Sequence, residues 1–200
     1  MTADIAYMQN AQQPLSELND LFTAQRQAYA GNPMPSTAQR QQWLKVLRDV
    51  LDTQRDRLIK AISEDFSNRS ADETLFAELM PSLHNIDYAS KHLRGWMKAS
   101  RRKVGMAFQP ASAKVVYQPL GVVGVIVPWN YPLYLAIGPL VGALAAGNRV
   151  MLKLSESTPA TGLLLKELLG RIFPEDLVCV VLGEADVGVA RDLAVFDLRE

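Results

Sequence analysis

Apolar residues in the first hundred positions recur at the spacing of amphipathic helices. The run Leu15–Phe22 places apolar side chains on one face, which predicts a helix that ends at the breaker segment Gly31–Pro35. Ser36 and Gln39 form a capping-box pattern, and the apolar face behind them predicts one long helix to about Phe66. The first half of the chain is therefore predicted to be helical.

A third helical pattern runs from Ala71 to about Lys98, and Pro81 inside it is expected to kink or split the helix. Beyond about residue 104 the apolar segments become short, and Val115–Gln118 with the residues before it is typical of extended chain. Strands are then predicted at 122–127, 150–154 and 178–182, and helices at 133–146 and 159–170, with Thr158 as N-cap. This alternation favours right-handed βαβ units in a parallel sheet, so the predicted fold class is α/β.

The segment between Lys114 and Arg149 carries no charge and is long enough to span a bilayer. Its four prolines argue against a membrane helix, because each removes a backbone donor and frees a carbonyl that lipid cannot satisfy. Val122–Val127 is instead apolar on both sides, which is typical of a parallel strand covered by helices on both faces. Gly138 and Gly142 favour close packing of the following helix on the sheet.

Composition restricts the class of protein further. Of the 200 residues, 48% are hydrophobic, and 21 Lys and Arg balance 21 Asp and Glu. Such a chain is typical of a soluble globular protein and has no net charge that would attract nucleic acid. One cysteine excludes an intrachain disulfide, and the first residues lack a basic segment ahead of an apolar one, so a cytoplasmic location is expected.

Two polar motifs follow predicted strands. Asn130 lies in Pro128-Trp-Asn-Tyr-Pro132, at a strand end where open α/β sheets bind ligands, and its amide can donate to an oxygen that gains negative charge. The alternative is that Asn130 only shapes a turn. Lys153 and Glu156 follow the second strand and can reach ribose hydroxyls or a 2′-phosphate; the alternative is a solvated cation and a first-turn carboxylate.

Together these motifs resemble those of the aldehyde dehydrogenase superfamily. The resemblance implies that Asn130 helps to form an oxyanion hole, and that Lys153 and Glu156 hold the adenosine ribose of NAD, with NADP as the other candidate cofactor. It also implies that four residues before Asn130 line the nicotinamide: Ile126, Val127, Pro128 and Trp129. For Ile126, plain core packing is the alternative.

The resemblance further implies a domain organisation. Residues 1–100 would form the helical part of the cofactor-binding domain, 101–119 a β-hairpin that pairs with a neighbouring subunit, and 120–200 the first part of a Rossmann-like sheet. This is an incomplete aldehyde dehydrogenase fold, whose Gly-rich turn, general base and nucleophilic cysteine would follow, and whose next strand is expected near 193–198. The chain alone is therefore expected to be inactive; the alternative is a non-catalytic module that pairs with full-length subunits.

Four stretches are most similar to the bacterial coniferyl aldehyde dehydrogenase group within the superfamily, at residues 68–74, 92–97, 101–105 and 107–111. This similarity implies a small aromatic aldehyde as the substrate and a homo-oligomer as the complete enzyme. No residue here shapes an aldehyde pocket, so the substrate rests on the resemblance.

The remaining candidates are interpreted as structural. Cys179 lies in an apolar strand, where burial would raise the pKa of its thiol and make it inert. His84 and His92 have no cysteine or carboxylate at ligand spacing, so no metal site is predicted. The basic residues around Lys98 are interpreted as a solvated helix end and not as a nucleic-acid surface.

Overall fold

Helices precede a parallel sheet in the computed structural model, which describes residues 15–183. The helical part contains these segments in chain order: α1 (Leu15–Gly31), α2 (Thr37–Thr53), α3 (Arg55–Asp65), α4 (Ala71–Thr74), a π-helical turn (Leu75–Leu79) and α5 (Met80–Trp96). The rest contains β1 (Ser100–Arg102), a 3-10 turn (Met106–Phe108), β2 (Ala113–Val115), β3 (Val122–Ile126), α6 (Pro132–Ala146), β4 (Arg149–Lys153), α7 (Pro159–Ile172) and β5 (Val178–Val181). The strand predicted near 193–198 lies outside the described residues.

The predicted βαβ units are confirmed. Strands β3, β4 and β5 pair in that order, all parallel, and α6 and α7 are the connecting helices. The register pairs Ile126 with Lys153 and Lys153 with Val181, so the carboxyl ends of all three strands meet at one edge. The short strands β1 and β2 form a separate antiparallel hairpin, which pairs Ser100 with Val115.

The predicted long helix after Ser36 is wrong, because the chain forms two helices there. The capping box itself is present: Ser36 Oγ accepts from Gln39 N, and Gln39 Oε1 accepts from Ser36 N. The break comes at Gln54, which has φ −102° and ψ 18°. Thr53 Oγ1 donates to Asp49 O at 2.8 Å, a side-chain bond to the preceding turn of the kind that bends helices.

Pro81 does not split the third helical stretch. Helical structure continues from Ala71 to Trp96, and the π-helical turn Leu75–Leu79 ends two residues before the proline. A π turn shifts the hydrogen-bond pattern locally, which accommodates a residue without a backbone N–H.

The two faces of the sheet are covered unequally. Val125, Val150 and Leu152 point into the main core, which helices α2, α3, α5, α6 and α7 help to form. On the other face, Leu18 and Phe22 of α1 pack on a smaller cluster made by Met151, Cys179 and Val181. Ile126 lies on that second face and is 53% exposed, so the expectation that β3 is covered on both faces is wrong within the described residues.

The expected close packing of Gly138 and Gly142 on the sheet is also wrong. Gly138 faces α5, where an added Cβ would lie 3.8 Å from Asn85 Nδ2, and an added Cβ at Gly142 would have no neighbour within 4 Å. Helix α6 uses its leucines, isoleucine and alanines against the core instead. Across residues 15–183, no helix combines the length and apolarity that a bilayer crossing needs.

Candidate functional site

The carboxyl ends of β3 and β4 bring the residues of the two sequence motifs to one edge of the sheet. Ile126 pairs with Lys153 across the two strands, and Val127 N donates to Lys153 O at 2.9 Å. Side chains alternate along a strand, so Ile126 and Lys153 lie on the same face, the one that α1 covers only partly. The two motifs are therefore neighbours in space, as the parallel sheet predicted.

Lys153 is a buried cation. Its side chain is 3% exposed, and Nζ donates to Leu154 O at 2.6 Å and lies 3.5 Å from Glu156 Oε2. Desolvation lowers the pKa of Lys153, while the charge of Glu156 opposes that shift. An ammonium group has three donors, so these two contacts leave capacity for a ligand hydroxyl. The interpretation of Lys153 as a solvated cation is wrong.

Glu156 lies in the loop after β4 and not in the first turn of the next helix, which begins at Pro159. Its side chain is about half exposed and faces Lys153. The alternative reading of Glu156 as a first-turn carboxylate is therefore wrong in its location.

Asn130 lies in the exposed turn between β3 and α6. Its backbone carbonyl accepts a hydrogen bond from Arg69 Nη2 at 3.0 Å, which leaves the exposed side-chain amide outside that bond. Trp129 stacks on Phe66, with the ring centroids 6.2 Å apart. The turn is thus held from the segment between α3 and α4, which sequence reasoning did not connect with it.

Glu78 caps the helix that follows the Asn130 turn. Its Oε2 accepts from Leu133 N at 2.7 Å and from Tyr134 N at 3.2 Å, and its Oε1 lies 3.1 Å from Arg69 Nη1. Glu78 is fully buried, and desolvation raises its pKa. The first turn of α6 therefore depends on a carboxylate from the π-helical turn.

Sequence reasoning missed Glu78, although one signal pointed to it. Ser82, Ile86, Ala89 and Leu93 form the buried stripe of α5, and Glu78 lies four residues before Ser82 on the same stripe. A charge on a core-facing stripe is expensive unless it is paired, so its position predicts a buried partner. Arg69 offered no comparable signal.

Cys179 is buried as expected. It is 3% exposed, and burial raises the pKa of its thiol to about 12. The burial on which the prediction of an inert thiol rests is confirmed, and the raised pKa disfavours the thiolate near neutral pH.

His92 takes part in contacts within α5. His92 packs between the rings of Tyr88 and Trp96 on α5, and its Nδ1 lies 2.8 Å from Tyr88 O. Among residues 15–183, no three His, Cys, Asp or Glu side chains form a group that could hold a metal ion.

Comparison with known proteins identifies proteins that are similar to this chain. The model of the "Aldehyde dehydrogenase family" matches residues 3–191. A probable coniferyl aldehyde dehydrogenase of Pseudomonas aeruginosa is 68% identical over 197 residues, which cover 98% of this chain and 41% of that protein. A coniferyl aldehyde dehydrogenase of a Pseudomonas species is 46% identical over 143 residues, 72% of this chain and 29% of that protein. The chain thus spans less than half the length of these curated relatives.

Solved structures agree on the fold. A substrate-bound state of Staphylococcus aureus AldH has a TM-score of 0.83 and 25% identity, and the match covers 87% of this chain and 38% of that one. Succinic semialdehyde dehydrogenase from Streptococcus pyogenes, solved in complex with NADP+, has a TM-score of 0.79 and 17% identity over 90% of this chain and 39% of its own.

Proposed function

Because this chain belongs to the aldehyde dehydrogenase family, we propose that it forms part of an enzyme that oxidises an aldehyde to a carboxylic acid with NAD(P)+. One observation carries the proposal: the turn with Asn130 and the buried ammonium of Lys153 lie at the same edge of the sheet, on paired strands. That edge is where open α/β sheets bind dinucleotides.

The proposed role of Asn130 is to stabilise charge. When a nucleophile adds to an aldehyde, the carbonyl oxygen becomes an oxyanion, and the side-chain amide of Asn130 donates a hydrogen bond to it. Loss of one such donor typically costs about 3 to 4 kcal/mol of transition-state stabilisation. Cys179 is not proposed as the nucleophile, because its thiol is buried and burial raises its pKa to about 12.

The proposed role of Lys153 and Glu156 is to bind the adenosine ribose of the cofactor. The residues fit this group, since the buried ammonium retains donor capacity and the Glu156 carboxylate, about half exposed, can accept from a ribose hydroxyl. The backbone at Ile126, Val127, Pro128 and Trp129 lines the nicotinamide side in this proposal, and the exposure of Ile126 leaves room there. The bound cofactor supplies the hydride acceptor. A lysine also suits a 2′-phosphate, so NADP is the second cofactor to test.

The proposed substrate is an aromatic aldehyde of the coniferaldehyde type. The names of the Pseudomonas relatives support this class, and no described residue of this chain is assigned to the aldehyde pocket. Rates for coniferaldehyde and for a short aliphatic aldehyde, each with NAD+ and with NADP+, test both substrate class and cofactor.

The decisive variant is Asn130→Ala in the complete gene product. We expect kcat to fall about 10²- to 10³-fold with little change in the aldehyde KM, because the oxyanion exists only along the reaction path. Asn32→Ala is the matched control, since Asn32 lies in the loop after α1, and it should keep the wild-type rate. Wild-type kinetics in Asn130→Ala would contradict the proposed role.

The hairpin of residues 101–119 is proposed to pair with a neighbouring subunit in a homo-oligomer. Its support is the exposure of large apolar side chains on the hairpin, which include Met106, Phe108 and Tyr117. The same surface would serve the alternative function, a non-catalytic module that binds full-length subunits. Mixing tagged chain with full-length enzyme tests the alternative, since it requires mixed oligomers and their absence would rule it out.

A further inference from the structure

We propose that Arg69 and Glu78 are positioning residues that hold the Asn130 turn in the geometry needed for oxyanion stabilisation, an inference that rests on the proposed function. The two residues form one ion pair, with Arg69 Nη1 3.1 Å from Oε1 of the buried Glu78. Each partner of the pair also contacts one side of the turn, so the pair links the turn to the helical layer.

Glu78 holds the carboxyl side of the turn. Helix α6 begins at Pro132, and its N-cap residue Tyr131 makes no side-chain capping bond. The carboxylate of Glu78 accepts from Leu133 N and Tyr134 N instead, which satisfies two backbone donors of the first turn. The point where α6 starts, two residues after Asn130, is therefore set by a side chain from another element.

Arg69 holds the turn itself. Its Nη2 donates to Asn130 O at 3.0 Å, and its guanidinium lies 3.6 Å from the ring centroid of Phe66 and 5.1 Å from that of Tyr131. Phe66 in turn stacks on Trp129. Trp129, Asn130 and Tyr131 each contact Arg69 or its neighbour Phe66, so three consecutive residues of the turn are held by one unit.

This arrangement has a catalytic consequence. An oxyanion donor is effective because it is held in place before charge develops, and a donor that must reorient loses part of its effect. The hydrogen bond from Arg69 goes to the backbone carbonyl of Asn130, so it fixes the backbone of the turn. The side-chain amide of Asn130 takes no part in this bond. Loss of Arg69 should therefore lower kcat and leave the aldehyde KM unchanged, since the affected contact forms only in the transition state.

The test is a double-mutant cycle in the complete gene product, with Arg69→Met and Asn130→Ala alone and combined. We expect Arg69→Met to lower kcat about tenfold, within the 10²- to 10³-fold effect of removing a donor. In the Asn130→Ala background, Arg69→Met should cause no further loss, because its effect passes through the missing amide. Arg57→Met is the control: Arg57 forms a hydrogen bond to Gln54 and two to Glu167, at 3.1 and 2.8 Å, so it contacts α7 and not the turn.

Each outcome decides the question. An equal loss in both backgrounds, or no loss at all, overturns the proposal, since the first indicates general destabilisation and the second independence from Arg69. If Arg69→Met does not fold, Arg69→Lys replaces it, because lysine keeps the charge opposite Glu78 and lacks the fork that reaches Asn130 O.

A wild-type protein that oxidises no aldehyde would refute the proposed function, and with it the catalytic consequence drawn here, but not the positioning of the turn by Arg69 and Glu78. Amide hydrogen exchange then decides, with Glu78→Ala expected to accelerate exchange at Leu133 and Tyr134 at least about tenfold relative to Arg57→Met. Unchanged exchange at both amides would overturn the positioning role.

Discussion

Two charged side chains near the carboxyl edge of the sheet lie out of water and have different partners. Glu78 accepts from two backbone amides and pairs with Arg69, so both of its oxygens are used. Lys153 contacts one carbonyl and the half-exposed Glu156, which is a weaker set of partners. The first arrangement is complete without a ligand, whereas the second keeps donor capacity, as expected for a group that binds one.

Gly147, which ends α6, has φ +90°, and a Cβ there would lie 2.6 Å from Arg40 Cζ. Arg40 is buried and donates to Ala145 O and Ala146 O, so it cannot move without losing bonds to the end of the helix. We expect Gly147→Ala to lower the free energy of unfolding by about 1 to 3 kcal/mol, through strain at positive φ and this contact.

Chemical denaturation tests the change at Gly147 against a matched variant. The matched variant is Gly142→Ala. Gly142 lies in the middle of the same helix and is exposed to solvent, and an added Cβ there has no neighbour within 4 Å. This variant should raise the free energy of unfolding by about 0.5 to 1 kcal/mol, because alanine is the better helix former. A stabilised Gly147→Ala would contradict the role assigned to Arg40.

Cys179 offers a second prediction for a single residue. With a thiol pKa of about 12 and 3% exposure, it should resist alkylation by iodoacetamide at pH 7.5 in the folded state. Peptide mapping of the native and the urea-unfolded protein measures this directly, and only the unfolded sample should carry full modification at Cys179. Rapid labelling of the native protein would show an accessible thiolate instead.

At the scale of elements, both crossover helices obtain their N-terminal caps from distant segments. Thr158 does not cap α7 through its side chain as predicted; its hydroxyl lies 3.4 Å from Ser155 O. Asp65, at the end of α3, accepts from Ala160 N at 2.9 Å and Thr161 N at 2.8 Å. Glu78 caps α6 in the same way from the π-helical turn, so carboxylates of the helical layer set where both helices on the sheet begin.

The carboxylate of Asp65, which caps α7, predicts that the stability of the protein depends on pH. Desolvation raises the pKa of the Asp65 carboxyl above its usual range, so the folded state takes up this proton at a higher pH than the unfolded state does. At neutral pH the ionised Asp65 carboxylate therefore makes the folded state less stable than a protonated carboxyl would. This loss of stability is relieved as the pH falls through the raised pKa. We expect the stability of wild type relative to Asp65→Asn to increase as the pH falls from about 7 toward about 4.

Urea denaturation of the wild type and of Asp65→Asn between about pH 7 and about pH 4 measures the difference in their free energies of unfolding. The contributions of other titrating groups cancel in this difference. Asp56→Asn is the control, since Asp56 is an exposed acid in the first turn of α3. A wild-type protein that loses stability relative to Asp65→Asn as the pH falls would show a lowered pKa, contrary to this prediction.

At the scale of the whole described chain, one side of the sheet has a large core and the other is covered only where α1 docks. Gln25 of α1 is fully buried, and its Nε2 donates to Val150 O at 3.0 Å and Glu175 O at 2.9 Å. These bonds place α1 over the amino-terminal half of the strands. The opposite end of that face, with Ile126 and Lys153, is the end proposed to bind the cofactor.

The proposed subunit pairing of the hairpin predicts a change in assembly. Phe108 is 70% exposed on the hairpin, and Phe76 is 67% exposed on the π-helical turn, so they form a matched pair. We expect Phe108→Ser to weaken self-association about tenfold, equivalent to about 1.4 kcal/mol, and Phe76→Ser to leave it unchanged. Sedimentation of the complete gene product over a concentration series measures both, and equal effects would argue against the hairpin as the interface.

Elements whose pattern is local were predictable from the sequence. The strands at 122–126, 149–153 and 178–181 agree with prediction to within one residue at each end, because short β-branched segments stood between clear helical periods. The capping box at Ser36 was also readable, since both of its hydrogen bonds join residues three apart. The aldehyde dehydrogenase family itself followed from two short motifs.

Contacts between distant segments were decided by the tertiary structure alone. The caps that Asp65 and Glu78 provide join residues more than fifty positions apart, and no local pattern encodes such a pair. The glycines of α6 turned away from the sheet because larger apolar side chains bury more surface there. The sequence by itself thus determined the order of elements and the residues at the strand ends. Only packing decided which charges lie out of water, because desolvation depends on what the rest of the chain places around each group.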